Sequence, residues 1–397
     1  MSTLAPPVHP VAPLKQLFLP GAHTATQALL SEPGLELCFN ARGALLKAFR
    51  EIAHDSPRRE VLLPAFHCPS AITPVLMAGF TPVFYRVRRD LTVEVEDFER
   101  KCGRHTAAGL LIHFFGSPPD PTLATLLRTK GIAVVEDCSH SFVRTAPLRL
   151  AGDAASDYRV YSFWKIVPSG VGGGLWRRRA STASAALHGA PMSAVLRAYK
   201  LQLEEAVNES GSTWLRSAWN AVERARLSTR PKAPPAQGTA SPSLEHGEAY
   251  YPVNESLAGS RMPGFARQLL LASNLEHIAA QRRQNFATYL SQASRLRPMV
   301  VLQSELPEDA CPWVFPVLLE GRSDFDHQLR ANGVALHTFG IYLHSALFHL
   351  GDADTVADAR FLAERLLCLA VHQGLDEHQV QRSAEAIHQA MTRLGLA

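Results

Sequence analysis

Residues 131–137 read Gly-Ile-Ala-Val-Val-Glu-Asp, and this stretch decides the fold class. Four apolar residues between a glycine and two carboxylates are typical of a short strand that is buried on both faces. A helical pattern at 121–129 comes before it, and another apolar run, at 109–114, comes before that helix. Strands that alternate with helices of this length are joined by crossover connections, which favours parallel pairing between them.

The same alternation continues on both sides of this stretch. Further strands are predicted at 60–64, 81–85 and 159–163, and further helices at 44–49 and 70–78, the second of which would end at Gly79. The sequence therefore predicts an α/β fold in which helices flank a mostly parallel central sheet.

The chain is predicted to fall into three parts. Residues 1–34, rich in proline and small residues, would form an extended N-terminal arm, and residues 35–259 would form the large α/β domain. A proline-rich stretch at 228–243 within that domain is expected to be a linker or a mobile loop. Residues 260–397 would form a smaller C-terminal α+β lobe that begins with one long helix at 264–291. The other elements predicted in this lobe are a strand at 313–319 and helices at 323–332, 354–367 and 376–394.

Composition and charge argue against several classes of protein. The 397 residues carry 40 basic and 36 acidic side chains, and this net charge of +4 gives no support for a nucleic-acid partner. The densest basic stretch, residues 177–179, is expected to be a solvated strand end or loop. The N-terminus lacks the charged-then-apolar order of a signal peptide, and no apolar run is long enough to cross a bilayer. We therefore expect a cytoplasmic protein with no membrane partner.

Cysteines and histidines show no metal-binding pattern. The six cysteines are scattered singly without zinc-ligand spacing, and His337, His344 and His349 also lack such spacing, so no metal is predicted. These histidines are expected to be structural, to lie on the surface, or to line the mouth of a substrate site. Trp164 and Trp313 are expected to be core aromatics.

Asp137 and Lys165 follow two successive predicted strands. Ligands of parallel α/β proteins collect beyond the C-terminal ends of strands, and a carboxylate there could pair with a protonated ring nitrogen. Taken alone, a strand-end aspartate is more often a helix cap or a magnesium ligand. Lys165 lies among apolar and aromatic residues that would desolvate its ammonium group and lower its pKa. For an isolated lysine, a packed stem with a solvated head is the more common arrangement.

The surroundings of Lys165 add a second signal. A glycine-rich turn at 170–174 follows the lysine, and residues without side chains would let the backbone approach a flat ligand closely. Ser162, three residues before Lys165, could donate its hydroxyl to a phosphate.

Several motifs occur in an order that makes the sequence similar to the DegT/DnrJ/EryC1/StrS family. This is a family of fold-type I enzymes that use pyridoxal 5′-phosphate (PLP), best known as sugar aminotransferases. The resemblance covers roughly residues 35–380. Its motifs are Leu-Pro-Ala-Phe at 63–66, Gly-Phe-Thr-Pro-Val-Phe at 79–84, His-Phe-Phe-Gly-Ser-Pro-Pro-Asp at 113–120, Val-Glu-Asp-Cys-Ser-His at 135–140, Tyr-Ser-Phe-Trp-Lys at 161–165, Arg-Met at 261–262, Arg-Arg-Gln-Asn-Phe at 282–286 and Val-His-Gln-Gly-Leu at 371–375.

The resemblance implies catalytic roles for three residues. Lys165 would hold PLP as an imine and carry the proton between the reacting carbons. Asp137 would pair with the pyridinium nitrogen, which makes the ring an electron sink. His140 would lie near the phenolic oxygen of the cofactor.

The resemblance also implies a set of cofactor-binding residues. The phosphate would be bound by Ser162 and by the turn Ala41-Arg42-Gly43 before the first helix, where helix N-terminal amides favour anions. Phe66, His67 and Cys68 would lie over the cofactor face. The turn departs from the family's Ser-Gly-Thr pattern, and Arg42 could either replace the missing hydroxyls or point to solvent. The glycine-rich turn is also shorter than usual, and Gly259 stands where the family often has an asparagine.

These features predict a homodimeric PLP-dependent aminotransferase. It would take an amino group from a donor such as glutamate or glutamine and pass it to a keto acceptor, with a nucleotide-linked keto-sugar as a candidate. One alternative is a PLP-dependent dehydratase or lyase, although the family's dehydratases have histidine in place of the lysine. Another is a non-catalytic binding or regulatory relative, which the altered phosphate turn and the shortened glycine turn would suit.

Overall fold

The computed structural model of the chain describes residues 6–19, 21–228, 243–393 and 395. The proline-rich stretch predicted to be a linker or mobile loop, at 228–243, lies outside the described residues apart from its two end residues. Within the described part of the chain, no helix is both long and apolar enough to pass through a bilayer.

The described residues form a large central sheet, a smaller sheet and a two-stranded ribbon. The strands are β1 (Leu35–Cys38), β2 (Glu60–Pro64), β3 (Thr81–Tyr85), β4 (Thr106–Ile112), β5 (Ala133–Asp137), β6 (Val143–Arg144), β7 (Arg149–Leu150), β8 (Tyr158–Ser162), β9 (Gly173–Arg177), β10 (Val300–Val301), β11 (Val314–Leu318), β12 (Leu336–His337) and β13 (Leu366–Ala370).

The central sheet has seven strands in the order β1-β9-β8-β5-β4-β2-β3. β9 runs against its neighbours β1 and β8, and the other neighbouring pairs are parallel. The register places Asp137 beside Ile112 of β4 and beside Val160 of β8. The predicted α/β fold with a mostly parallel sheet is confirmed, and the C-terminal ends of β4, β5 and β8 meet at one edge.

Helices pack against the central sheet and against the smaller one. They are α1 (Leu14–Phe18), α2 (Thr24–Leu30), α3 (Ala41–Asp55), α4 (Pro69–Met77), α5 (Val95–Lys101), α6 (Pro121–Thr129), α7 (Met192–Glu209), α8 (Thr213–Ser228), α9 (Glu255–Ala258), α10 (Gly264–Leu271), α11 (Leu275–Ser291), α12 (Arg322–Ala331), α13 (Ser345–Leu350), α14 (Ala353–Arg365) and α15 (Glu377–Arg393). Short 3₁₀ turns follow β4 at Phe114–Gly116 and β8 at Phe163–Lys165.

A separate core lies under the smaller, antiparallel sheet, whose strand order is β10-β11-β13-β12. Its buried side chains come from this sheet and from α11, α12 and α15, and they include Phe286, Phe315, Leu329, Leu369 and Ile387. Removing such apolar surface from water is the main favourable contribution to folding of this part of the chain.

Two predicted elements differ from the structure. The N-terminal residues predicted to be an extended arm include α1 and α2. The helix predicted at 264–291 is two helices, α10 and α11. Asn274 is the N-cap of α11, because its side chain accepts a hydrogen bond from His277 N. Thr26 of α2 donates to Ser273 O at the break, which ties the break to the N-terminal helices. A good N-cap residue inside an otherwise helical pattern explains the error.

Candidate functional site

A cavity of about 750 Å³ opens at the edge of the sheet where β4, β5 and β8 end. Seven of the residues predicted from the sequence to form the cofactor site line it: Ala41, Arg42, Cys68, Asp137, His140, Ser162 and Lys165. Gly43, Phe66 and His67, which were predicted with them, are not among its lining residues.

Asp137 is the last residue of β5 and faces this cavity. Its Oδ1 atom accepts a hydrogen bond of 2.9 Å from Ser139 N. The backbone on both sides of it is also fixed, since His113 N donates to Asp137 O and Cys138 N donates to Val160 O. The carboxylate is therefore held at a rigid strand end, with its direction set by the strand register.

A buried polar cluster supports the neighbouring strand ends from inside the protein. His113 Nε2 lies 3.3 Å from Glu136 Oε1, and Glu136 Oε2 accepts hydrogen bonds from Asp153 N and Ser156 Oγ. Burial alone would raise the Glu136 pKa, but these hydrogen bonds outweigh it and lower that pKa to about 2. An ionised, fully bonded Glu136 thus joins the ends of β4 and β5 behind the cavity.

Lys165 ends the 3₁₀ turn that follows β8, and its Nζ atom lies 4.5 Å from the centre of the Trp313 ring. Burial lowers the Lys165 pKa from its usual value, and the negative charge of Asp137 partly opposes this effect. A lowered pKa increases the fraction of neutral amine, which is the nucleophilic form. The aromatic ring limits where the amine can lie.

Arg282 of α11 fixes the backbone of the lysine turn. Its fully buried guanidinium donates to the main-chain oxygens of Lys165, Ile166, Pro312 and Trp313 over distances of 3.0 to 3.2 Å. Burial lowers the Arg282 pKa to about 10, so the group remains charged at neutral pH. One side chain therefore holds the turn that carries Lys165 against the segment that carries Trp313.

His140 is buried and neutral. Its ring is stacked on Trp313, with centroids 4.2 Å apart, and on Phe115. Its Nδ1 atom accepts a hydrogen bond from Phe115 N, which leaves the proton on Nε2. Burial and the charge of Lys165 lower the His140 pKa well below its ordinary value. A neutral imidazole with a fixed tautomer can donate a hydrogen bond into the cavity.

The first turn of α3 forms the opposite wall of the cavity. Asn40 caps the helix by accepting a hydrogen bond of 2.8 Å from Gly43 N, and Asn40, Ala41 and Arg42 line the cavity. Arg42 Nη1 donates to Pro252 O at 2.8 Å, so its side chain is engaged at the cavity wall. Ser162, at the end of β8, completes a set of donors suited to an anion.

Glycines at this wall allow neighbouring segments of the protein to pack closely against each other. A Cβ atom on Gly43 would lie 2.8 Å from Ala258 Cα, and one on Gly173 would lie 2.4 Å from Ala41 N. The glycine-rich turn was predicted to approach a flat ligand. Instead, Gly173 lets β9 pack directly against the first turn of α3.

The Phe66–Cys68 stretch is arranged differently from the prediction. His67 is fully buried, with Nδ1 bonded to Pro64 O and Nε2 accepting from His344 N. The Phe66 ring packs edge-to-face on Phe339, which itself lines the cavity. Cys68 is the residue of this stretch that reaches the cavity wall.

The structure adds lining residues to those that were predicted for the cofactor site. Trp164 and Trp313, expected in the core, both line the cavity, as does His337, whereas His344 and His349 do not. Further additions include Asn40, Tyr251, Arg330 and His9. Asn40 could have been found as an N-cap residue before an apolar-periodic helix. No sequence signal marks His9, which reaches the site from the N-terminal segment.

Comparison with known proteins supports these observations. Residues 38–180 match the model of the DegT/DnrJ/EryC1/StrS aminotransferase family. GDP-perosamine synthase of Vibrio cholerae is 30% identical over 118 residues, which are 29% of this chain and 32% of that protein. A dTDP-4-dehydro-2,3,6-trideoxy-D-glucose 4-aminotransferase of Saccharopolyspora spinosa is 30% identical over 146 residues, 36% of this chain and 38% of that protein. The matched segments thus span about a third of the length of these curated relatives.

The fold similarity extends over the whole chain. The structure of AtS13 from Actinomadura melliaura aligns with a TM-score of 0.64 at 19% identity, covering 98% of this chain and 100% of that one. The Helicobacter pylori aminotransferase PseC, involved in the biosynthesis of pseudoaminic acid, aligns with a TM-score of 0.64 at 14% identity and the same coverage. Residues 38–180 are thus similar to the DegT/DnrJ/EryC1/StrS aminotransferase family, and the chain as a whole shares its fold with aminotransferases of known structure.

Proposed function

We propose that this chain is a PLP-dependent aminotransferase that transfers an amino group from an amino-acid donor to a nucleotide-linked keto-sugar. The observation that carries this proposal is that Lys165 and Asp137, from the ends of β8 and β5, line one cavity that also contains the first turn of α3. An amine, a carboxylate and an anion site in one cavity are the groups that PLP requires.

The residues present fit the cofactor in charge and in shape. Ser162, Arg42 and the N-terminus of α3 are donors suited to a phosphate dianion. The absence of a side chain at Gly43 and Gly173 lets α3, α9 and β9 converge at this wall. A cavity of about 750 Å³ leaves room for a substrate beside the cofactor.

Bound PLP would supply an electron sink that stabilises negative charge on the carbon attached to the reacting nitrogen. The chain's own residues would do the rest. Lys165 Nζ would hold the cofactor covalently and then move a proton, which its lowered pKa favours. Asp137 would keep the ring nitrogen protonated, and His140 Nε2 would donate a hydrogen bond at the ring.

The activities of the two relatives support a sugar acceptor. One relative is a synthase of the amino sugar nucleotide GDP-perosamine and the other an aminotransferase acting on a dTDP-linked keto-sugar. Glutamate or glutamine would be the donor, as the sequence resemblance implies. The same resemblance supports a cytoplasmic homodimer with a large domain at 35–259 and a smaller domain at 260–397.

Replacing Lys165 tests the function directly. With added PLP, the wild-type chain should show a visible absorbance band from covalent attachment, and Lys165→Ala should lose both the band and amino transfer from L-glutamate. Lys130→Ala, at an exposed lysine after α6, is the matched control and should retain both. A Lys165→Ala variant with full transfer activity would show that the proposal is wrong.

A further inference from the structure

The N-terminal segment of the chain forms part of the site described above. Val8 and His9 line the cavity, and Pro10 and Ala12 are buried next to them. His372 anchors the segment, because its Nε2 atom donates to Pro7 O at 2.8 Å while its Nδ1 atom accepts from Gly374 N. These two hydrogen bonds fix the tautomer of His372 and hold residues 7–9 at the cavity.

The His9 ring lies between two aromatic residues of the site. Its centroid is 5.0 Å from that of Trp164, which directly precedes Lys165, and 4.6 Å from that of His337. Both contacts are edge-to-face, so the ring orientation is restrained from two sides. His9 is thereby placed beside the residue that would hold the cofactor.

One nitrogen of His9 is buried without a partner. Among the described residues, no group bonds to His9 Nδ1, which is shielded from water. A buried N–H group without a partner is rarer than a buried acceptor without one, so we infer that Nδ1 is bare and that Nε2 carries the proton. Nε2 is not among the buried unpartnered atoms, so it is the nitrogen through which His9 can donate to a ligand in the cavity that it lines.

The charge state of His9 limits what it can recognise. Burial, followed by the positive charges of Lys165 and Arg282, lowers the His9 pKa to about 4. A neutral imidazole donates a hydrogen bond to a hydroxyl or carbonyl oxygen but offers no charge to a carboxylate. The guanidinium group of Arg330 on the cavity wall, which also pairs with Asp326 at 3.0 Å, is better suited to a carboxylate of an amino-acid donor.

We propose that His9 recognises a hydroxyl group of the nucleotide-linked sugar, so that the N-terminal segment contributes to selection of the acceptor and not of the amino donor. This inference rests on the proposed function and adds the element that would distinguish the two substrates. It also explains why Pro7 is anchored by His372, since a recognition group on an unanchored chain end would be poorly positioned.

The two half-reactions can be measured separately on the PLP-loaded chain. L-glutamate and GDP-perosamine each donate an amino group to the bound cofactor, and each reaction is followed by loss of the visible absorbance. His9→Phe keeps an aromatic ring but has no hydrogen-bond donor, so its reaction with GDP-perosamine should be about fivefold to tenfold slower. Its reaction with L-glutamate should stay within about twofold of wild type, as expected for a residue outside the donor site.

Three controls separate recognition from a structural role. His9→Gln retains an N–H donor and should recover part of the lost rate with GDP-perosamine. His349→Phe, at an exposed histidine of α13, should change neither rate. The dissociation constant of PLP, from fluorescence titration, should be the same for wild type and His9→Phe, since His9 is not placed among the phosphate-binding residues.

Several results would overturn the inference. Equal slowing with both substrates would show that His9 is only structural, and an unchanged rate with GDP-perosamine would show that it makes no contact. A wild-type chain that reacts with L-glutamate but with neither GDP-perosamine nor a dTDP-linked 4-amino sugar would overturn the assignment of His9 to a nucleotide-linked sugar. A chain that gains no absorbance with PLP would overturn the proposed function and this inference with it.

Discussion

Arg282 shows how a single residue can position the reactive lysine through its backbone, without contacting the amine. A guanidinium presents its donors in a planar fork, and here that fork reaches main-chain oxygens of two separate segments. We expect Arg282→Lys to destabilise the protein by about 2–4 kcal/mol, because one ammonium cannot reach both sets of buried carbonyls. Urea unfolding measures this, with Arg283→Lys as the matched control at the next position. Equal losses for both variants would contradict the assigned role.

Asp137 is expected to act through its charge. In Asp137→Asn the amide keeps a similar shape and can still accept from Ser139 N, but it cannot stabilise a protonated ring nitrogen. Amino transfer from L-glutamate should therefore fall by on the order of a hundredfold, while PLP is still bound through the phosphate wall. Single-turnover absorbance measurements would follow this. A variant with a wild-type rate would remove Asp137 from the proposed mechanism.

Predictions for single residues fail where a charged side chain is buried in ion pairs with residues that are distant in the sequence. The basic stretch at 177–179 was expected to be a solvated strand end or loop, and Arg178 and Arg179 are indeed exposed beyond the end of β9, but Arg177 is 8% exposed. It forms ion pairs of 3.0 Å with Glu36 and Glu51, which lie 141 and 126 positions away in the chain. Nothing in the local sequence indicates those partners. Asp137 and Lys165 could be predicted because each follows a clear apolar strand.

At the element scale, the start of α3 combines a stability role with a binding role. Asn40→Ala removes the cap on Gly43 N and should cost about 1 kcal/mol of stability. Asp120→Ala is the matched control, because Asp120 caps α6 through Thr122 N and is not among the lining residues of the cavity. Both variants should unfold at lower urea concentration, but only Asn40→Ala should bind PLP more weakly in a fluorescence titration. Equal PLP affinity in the two variants would argue against a phosphate site at α3.

Helices and strands were predicted best where the local sequence pattern favours the same structure as the packing of the whole fold. The strand at Glu60–Pro64 and the helix at Pro121–Thr129 match the predicted ranges, because apolar runs and capping residues mark them locally. The predicted helix at 354–367 ends at Arg365 because Leu366 already pairs in β13. That pairing depends on β11, some fifty residues earlier in the chain, and so it is not visible in the segment itself.

The site as a whole depends on three regions that are far apart in the sequence. Val8 and His9 come from the N-terminal segment, Asp137 and Lys165 from the central sheet, and His337 from the smaller sheet. Motifs could identify the central pair, since it belongs to one run of alternating strands and helices. The contribution of the terminal segment follows from packing alone, because it depends on the His372–Pro7 hydrogen bond across the molecule.

This packing also buries several histidines, which should make the stability of the whole protein pH-dependent. Burial lowers the pKa of His67 and His372 to about 3 and that of His9 to about 4, and it lowers the pKa of His140 and His337 well below the usual value. Between pH 4 and 6.5 these groups are neutral when folded but take up protons when the chain unfolds. Unfolding therefore binds protons, and stability must fall as the pH drops below about 6.5.

Each such histidine should add about 1.4 kcal/mol per pH unit to the slope of unfolding free energy against pH in this window. His67→Gln removes one of them, and although the variant should be less stable at pH 7, its slope between pH 4.5 and 6 should be smaller by about that amount. His349→Gln, at an exposed position, serves as the matched control for the slope. Urea unfolding at a series of pH values gives all three slopes. A His67→Gln slope equal to that of wild type would mean that His67 is not held neutral by the fold, despite its bonds to Pro64 O and His344 N.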